Sequence, residues 1–377
     1  MQADDGVAQF LELAEQAVQA RLPAAGRTTI ALSGGVDSAL VAALAQARAP
    51  GLRALTIDDS PIRDDTPEFD YAAAVASALN IEHVGLPVAT WEPPAAASVR
   101  PDQVPVEPLM ALPGSQHNNL MLGSSELGEV LLTGHGGDPI MTPERGYFLQ
   151  GLMSAPLRLL RDWQLHKQIH GQAPPLYLRT ALRQARRRPA RPPPIPPWLT
   201  RRLHAPAEAL YAKDESHRHD ESRAYARHEA ARDVTSPFWA RVFQHADAGL
   251  NRGTPTTMRH PLFDEAVVQF CVGLASMPWC HDKWLLRNAL PASIPPAIRA
   301  RPKTPVPIEP EHRFLLPHYE KWGTELLQQP RISEFLDAPV LLRMLRNANR
   351  LRPQEYTLLA RPLYLAFWLR QLDRAYE

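Results

Sequence analysis

The hexapeptide Ser33-Gly34-Gly35-Val36-Asp37-Ser38 is the part of this chain best equipped for chemistry. Two successive glycines let backbone N–H groups approach an anion more closely than side-chain-bearing residues allow. A helix starting there adds first-turn N–H groups and the positive end of its dipole. Ser33 and Ser38 bring hydroxyl donors, and Asp37 brings a carboxylate that repels phosphate unless a cation bridges them. The combination points to phosphate together with Mg²⁺. It is not a Walker loop, because no Gly-Lys-Ser/Thr occurs in the sequence. A second glycine-rich stretch, Gly134-His135-Gly136-Gly137-Asp138, supplies another carboxylate. Asp37 and Asp138, both following strands, could share one Mg²⁺, an ion that takes few protein ligands and keeps its waters. Lysine is scarce: five residues, Lys167, Lys213, Lys283, Lys303 and Lys321, stand against 36 arginines. Each is worth inspecting as a compact point charge that arginine does not mimic.

These loops need a frame. Val7, Leu11, Ala14, Val18 and Leu22 form one apolar stripe, which predicts a first helix closed by Pro23 and Gly26. Thr28 to Leu32 then reads as a buried strand and 37–48 as a helix. Arg53–Asp58 is a second strand, Pro67–Leu79 a helix with proline in its first turn, and Glu82–Leu86 a third strand. A helix over 116–127 leads to a fourth strand, Val130–Thr133. This alternation predicts an α/β fold with a doubly wound parallel sheet, and ligands beyond the carboxyl ends of its strands. The expected organisation is a nucleotide-binding α/β core over 1–150, a helical insertion over 151–235 and a helical C-terminal part over 236–377. Within the insertion, Arg179–Arg202 holds eight arginines and no acidic residue, with Arg191-Pro-Pro-Pro-Ile-Pro-Pro-Trp198 as extended backbone. Such a tract is a solvated linker or a docking edge. Asp264 reads as an N-cap for the segment starting at Glu265.

Composition narrows the setting. A formal charge of +1 gives no global field toward nucleic acid or membrane. Cys271 and Cys280 are too few for a disulfide framework and lack metal-site spacing. No signal peptide opens the sequence and no apolar run reaches membrane-spanning length, so a cytoplasmic protein without a membrane span is expected.

Ser-Gly-Gly-Xaa-Asp-Ser after a first strand resembles the pyrophosphate loop of the ATP pyrophosphatase superfamily, whose members release AMP and pyrophosphate while adenylating a substrate. Glu107-Pro108, Leu131-Leu-Thr-Gly-His-Gly-Gly-Asp138, Arg259-His-Pro-Leu-Phe-Asp264, Lys283-Trp-Leu-Leu-Arg287 and Arg301-Pro-Lys303 are similar, in order, to the synthetase domain of asparagine synthetase. Leu359–Leu372 is similar to that domain's closing helix. The resemblance implies an adenine nucleotide alpha-hydrolase-like fold. ATP then lies along Leu32, Ser33, Gly34, Gly35, Val36, Asp37, Ser38, Ile57 and Gly134, with Mg²⁺ on Asp37 and Asp138. It also implies that Lys283 and Lys303 neutralise charge on the α-phosphate and on the tetrahedral oxyanion.

Departures from that pattern shift the expected substrate. Gln2 stands where the glutaminase nucleophile of asparagine synthetase is cysteine, and no glutaminase activity is expected. Thr257 replaces a glutamate of the pattern, and Thr304-Pro-Val-Pro replaces its glycines. His135 replaces another glutamate, at the place where the related β-lactam synthetases carry a tyrosine that helps deprotonate the attacking amine. A histidine there is a base near neutrality or a neutral residue that shapes the pocket. Gly-His-Gly-Gly-Asp together with Pro-Pro-Trp-Leu looks most like the lasso-peptide cyclases, which adenylate an Asp or Glu side chain of a precursor peptide and close a macrolactam. The resemblance thus implies a peptide or other carboxylate substrate, with a leader-peptide-binding protein and a leader protease as partners. Two alternatives stay open: an ammonia- or small-amine-dependent synthetase, and a non-catalytic nucleotide- or peptide-binding scaffold. Asp37, Asp138, Lys283 and Lys303 argue against the scaffold.

Overall fold

The computed structural model describes residues 3–58, 60, 67–87, 108, 120, 123–124, 126–144, 147–148, 152, 155–176, 194–222, 227–246, 256–302, 319–350 and 356–376. Five parallel strands, β1 (Thr28–Ala31), β2 (Arg53–Asp58), β3 (Glu82–Pro87), β4 (Val130–Leu132) and β5 (Thr257–Arg259), form one sheet in the order β3-β2-β1-β4-β5. The chain builds outward from β1 in both directions, so the strand order reverses between β1 and β4. A crevice opens at such a switch point. Register fixes it: Ile30 pairs with both Ala54 and Leu132, so the loops that follow β1 and β4 emerge side by side.

Helices α1 (Ala3–Gln19), α2 (Val36–Gln46) and α3 (Glu68–Leu79) flank the sheet. The alanine- and leucine-rich α2 is buried along most of its length, and α3 ends on Asn80 in the left-handed conformation. The face of α1 that is buried differs from the expected stripe. Phe10 and Ala17 join Ala14 and Val18 in the core, while Val7, Leu11 and Leu22 pack at its edge. The bulky Phe10 removes the most apolar surface and takes the centre. Glu265–Gly273 and Trp284–Ala289 cover α1. Asp264 caps the former as expected: Ala266 N donates to its Oδ1 at 3.0 Å, and Arg21 pairs with Oδ2 at 2.9 Å.

Two corrections follow. β5 falls inside the region read as helical. Three residues exposed, buried and exposed in turn are too short for a period-two signal, and only pairing to β4 makes them a strand. The arginine- and proline-rich tract lies largely outside the described residues, but its end is anchored. Trp198 is buried with Trp322 and Leu336 in a second core, and Asp337 N donates to Trp198 O at 2.7 Å. The helix expected over 116–127 also falls mostly outside the described residues. Among the described residues, 155–235 holds helices joined by turns and irregular backbone at 171–176 and 194–200, with the bridge between Leu199 and Leu336 as its one strand-like pairing, and no helix is long and apolar enough to cross a membrane.

Candidate active site

The loop after β1 requires glycine at its first turn. Gly34 has φ +64°, and a Cβ there would lie 2.4 Å from Cβ of Tyr71. The serines lock the turn from inside. Ser33 N donates to Ser38 Oγ at 3.2 Å, the two hydroxyls lie 3.1 Å apart, and Ser38 Oγ donates to Gly35 O at 3.2 Å. Gly35 is the N-cap of α2 and makes no side-chain cap. The start of this eleven-residue helix therefore faces the crevice with the positive end of its dipole.

The loop after β4 nests directly against this turn. A Cβ at Gly134 would lie 2.6 Å from Ser38 N, and one at Gly137 would lie 2.2 Å from Cγ of Asp37. Because neither glycine carries a side chain, Asp37 and Asp138 converge on one cation. Lys283 Nζ donates to Asp37 Oδ2 at 2.6 Å and pairs with Asp138 Oδ1 at 2.7 Å. Burial opposes the charge on Lys283, but the two carboxylates outweigh it and raise the ammonium above its ordinary value. Asp282 and Lys283 both hold left-handed backbone, at φ +49° and +54°. Such conformations cost non-glycine residues free energy and persist where neighbours over-determine them. Arg287 is the neighbour: it donates to Asp282 O at 2.6 Å, to Asp282 Oδ1 at 3.1 Å and to Arg301 O at 2.7 Å.

The crevice encloses about 350 Å³, within the range of small-molecule sites. Leu32, Leu55, Ile57 and Met258 form an apolar strip along it, and Ser33, Asp37, Ser38 and Asp138 give its polar end. Arg301 closes that end, stacked 4.0 Å over the Tyr71 ring and donating to Ser33 O at 3.3 Å. Opposite, His135 stacks on His260 with centroids 5.2 Å apart and lies 6.0 Å from Trp239. The backbone N–H of His135 donates to Thr133 Oγ1 at 3.3 Å, and that hydroxyl lies 2.7 Å from His260 Nδ1. No described residue hydrogen-bonds Nδ1 of His135. Burial lowers the pKa of this imidazole, so it is neutral at neutral pH.

The donor set suits Mg²⁺. Two hard carboxylate oxygens already share one cation, the Lys283 ammonium, in a geometry a divalent ion could take over. Among the described residues no group of three or more His, Cys, Asp or Glu could hold a metal by protein ligands alone. Two carboxylate oxygens from the protein agree with an ion completed by water and phosphate oxygens.

The structure gathers Leu32, Ser33, Asp37, Ser38, Ile57, Gly134, His135, Asp138 and Lys283 at one crevice. Gly34 and Gly35 form the turn beneath, and Val36, the first residue of α2, buries its side chain in the core. Lys303 and Glu107 lie outside the described residues. Arg287, Arg301 and His260 stood within the quoted motifs without a role of their own, and the tertiary contacts supply one. Trp239 and Arg227 carried no sequence signal. Arg227 is fully buried and donates to Cys271 O at 2.5 Å and to Ile140 O and Thr142 O at 2.7 Å each, clamping the backbone behind Asp138. Arg227→Met should lower the unfolding free energy by about 3 kcal/mol or more, since three buried carbonyls lose their donor. Urea denaturation checks this. Arg227→Lys should recover little, because a point charge does not reproduce the guanidinium fork.

The family model described as Asparagine synthase matches residues 9–370 of the chain. Among solved structures, the U34-tRNA thiolase NcsA from Methanococcus maripaludis with its [4Fe-4S] cluster is similar at 13% identity and a TM-score of 0.27. That match covers 63% of this chain and 81% of the thiolase chain. No curated protein matches.

Proposed function

Since the chain belongs to the asparagine synthase family, a group of ATP-dependent amide-forming ligases, we propose that it adenylates a side-chain carboxylate of a peptide and closes a macrolactam with that peptide's α-amine. The observation that carries this reading is the convergence of Asp37 and Asp138 on one cation where two nested glycine loops meet at the sheet's switch point. In the proposed reaction the substrate carboxylate attacks the α-phosphorus of ATP and pyrophosphate leaves. The amine then attacks the acyl carbon, AMP departs, and the amine's proton passes to a base. The Ser33–Ser38 loop and the start of α2 hold the pyrophosphate, while Leu32 and Ile57 flank the adenine of ATP. Asp37 and Asp138 would hold Mg²⁺, which when bound neutralises the charge of the phosphates. Lys283 and Lys303 neutralise the α-phosphate and the oxyanion. His135, neutral and beside the cleft, accepts the amine's proton at its ring nitrogen.

The test is product analysis. A processed precursor peptide with ATP and Mg²⁺ should release AMP and pyrophosphate and lose one water, its new linkage mapping to the N-terminus and an internal Asp or Glu. ADP and orthophosphate as primary products would sink the adenylation step. AMP formation driven equally by free aspartate and ammonia, without dehydrated peptide, would point to a small-substrate synthetase.

His135→Ala should separate the two half-reactions. Substrate-dependent ATP–pyrophosphate exchange should persist while amide formation drops by about 10²-fold, so acyl-adenylate accumulates. Equal loss in both assays removes the base role. Because burial lowers the histidine pKa from 6.5, the acid limb of amide formation should lie below that pH. The stability linked to His135 is correspondingly present above 6.5 and lost as pH falls through the lowered value.

A further inference from the structure

A second cavity, of about 520 Å³, adjoins the crevice and shares Asp138 and Trp239 with it. Its floor is the segment 139–143, whose backbone Arg227 clamps at Ile140 O and Thr142 O, so the cavity is preformed. One wall is apolar and aromatic: Met141, Trp239 and Phe238, the last 50% exposed. An exposed phenylalanine beside a tryptophan on a cavity rim presents surface that a ligand could cover.

The charges of this cavity are largely settled internally. Lys283 is held by Asp37 and Asp138, and Arg287 by the Asp282 carboxylate and three backbone carbonyls. Asp233 differs. Its Oδ2 accepts from Thr142 Oγ1 at 2.7 Å, and among the described residues no basic side chain pairs with it. An oriented carboxylate beside an aromatic wall suits an ammonium group attached to an apolar side chain.

We propose that this cavity is the acceptor subsite, in which Asp233 pairs with a protonated primary amine while Phe238 and Trp239 cover the aromatic or large apolar side chain next to it. The inference rests on the amide-synthetase reading, since that reaction needs an amine delivered beside the acyl group. The cavity opens on Asp138 and Lys283 at one end, and Trp239 links it to His135 at 6.0 Å. An amine held here as its ammonium is thus within one residue of the base that would deprotonate it.

The test uses the full chain and reads binding rather than turnover. Phenylethylamine and 2-phenylethanol match in shape and differ in charge, and titration calorimetry gives the affinity of each. The wild type should bind the amine about 10-fold or more tightly than the alcohol, the effect of one charge-assisted hydrogen bond. Asp233→Asn keeps an acceptor for Thr142 and should bring the two to parity. Phe238→Ala should weaken both alike. Equal affinities in the wild type, or a charge preference that survives Asp233→Asn, would overturn the proposal. Failure of the underlying reading looks different: the amine preference would stand while no substrate drives AMP release.

Discussion

Asp138→Asn should abolish AMP formation at millimolar Mg²⁺ while leaving the protein folded, and Asp37→Asn should do the same. Each substitution keeps the shape of the side chain and removes one of two negative charges that converge on a single cation. A bound metal is worth several kcal/mol of charge stabilisation in phosphoryl chemistry, so turnover should fall by about 10³-fold. The Asp138 side chain is 50% exposed, which makes an effect on folding small there. Asp37 is more enclosed and sits against Gly137, so its variant should also be checked by thermal melting. Raising Mg²⁺ should recover part of the activity in either variant. Full activity in both would reduce the two loops to structural corners.

Lys283→Met carries the second large effect, and its sign differs between two measurements. Turnover should fall by about 10²-fold, because a cation placed against developing charge is lost from a partly enclosed site. Apparent affinity for Mg²⁺ should rise, because the ammonium no longer occupies both carboxylates. A magnesium titration of activity reads both at once. If turnover and magnesium affinity fell together, the lysine would be a support for the loop and not a charge in the reaction. The ion pair also sets a pH dependence. The folded-state pKa of Lys283 is raised above 10.5, so its stabilisation is fully present below that value and is lost as pH rises through the raised value. The difference in stability between wild type and Lys283→Met should therefore narrow only in strongly alkaline solution.

The residues that touch the reaction in this reading were legible one loop at a time. Ser33–Ser38 combines two glycines, two serines and an aspartate, a set that serves an anion and its cation as well as the turn itself, so chemistry could be read from residue types alone. Gly134–Asp138 was legible in the same way, whereas Lys283, one of five lysines, was marked by its place in the pattern the sequence resembles. The strands β1 to β4 and the helices between them announced themselves by periodicity, which is a local property. β5 did not, because a three-residue edge strand is defined by its partner.

What the linear order could not hold is the meeting of distant side chains. That Gly137 must be glycine to admit Asp37, a hundred residues earlier, follows from the 2.2 Å that a Cβ would leave. Local sequence gives no reason for Lys283 to bridge Asp37 and Asp138, and none for a buried Arg227 to clamp the backbone behind them. Both arise because burial makes an unsatisfied charge or carbonyl costly, so each group takes whatever partner the packing brings near. The apolar pattern of a segment records which face it buries. The identity of its polar partners is written in the way separate segments stack, and so belongs to the folded chain.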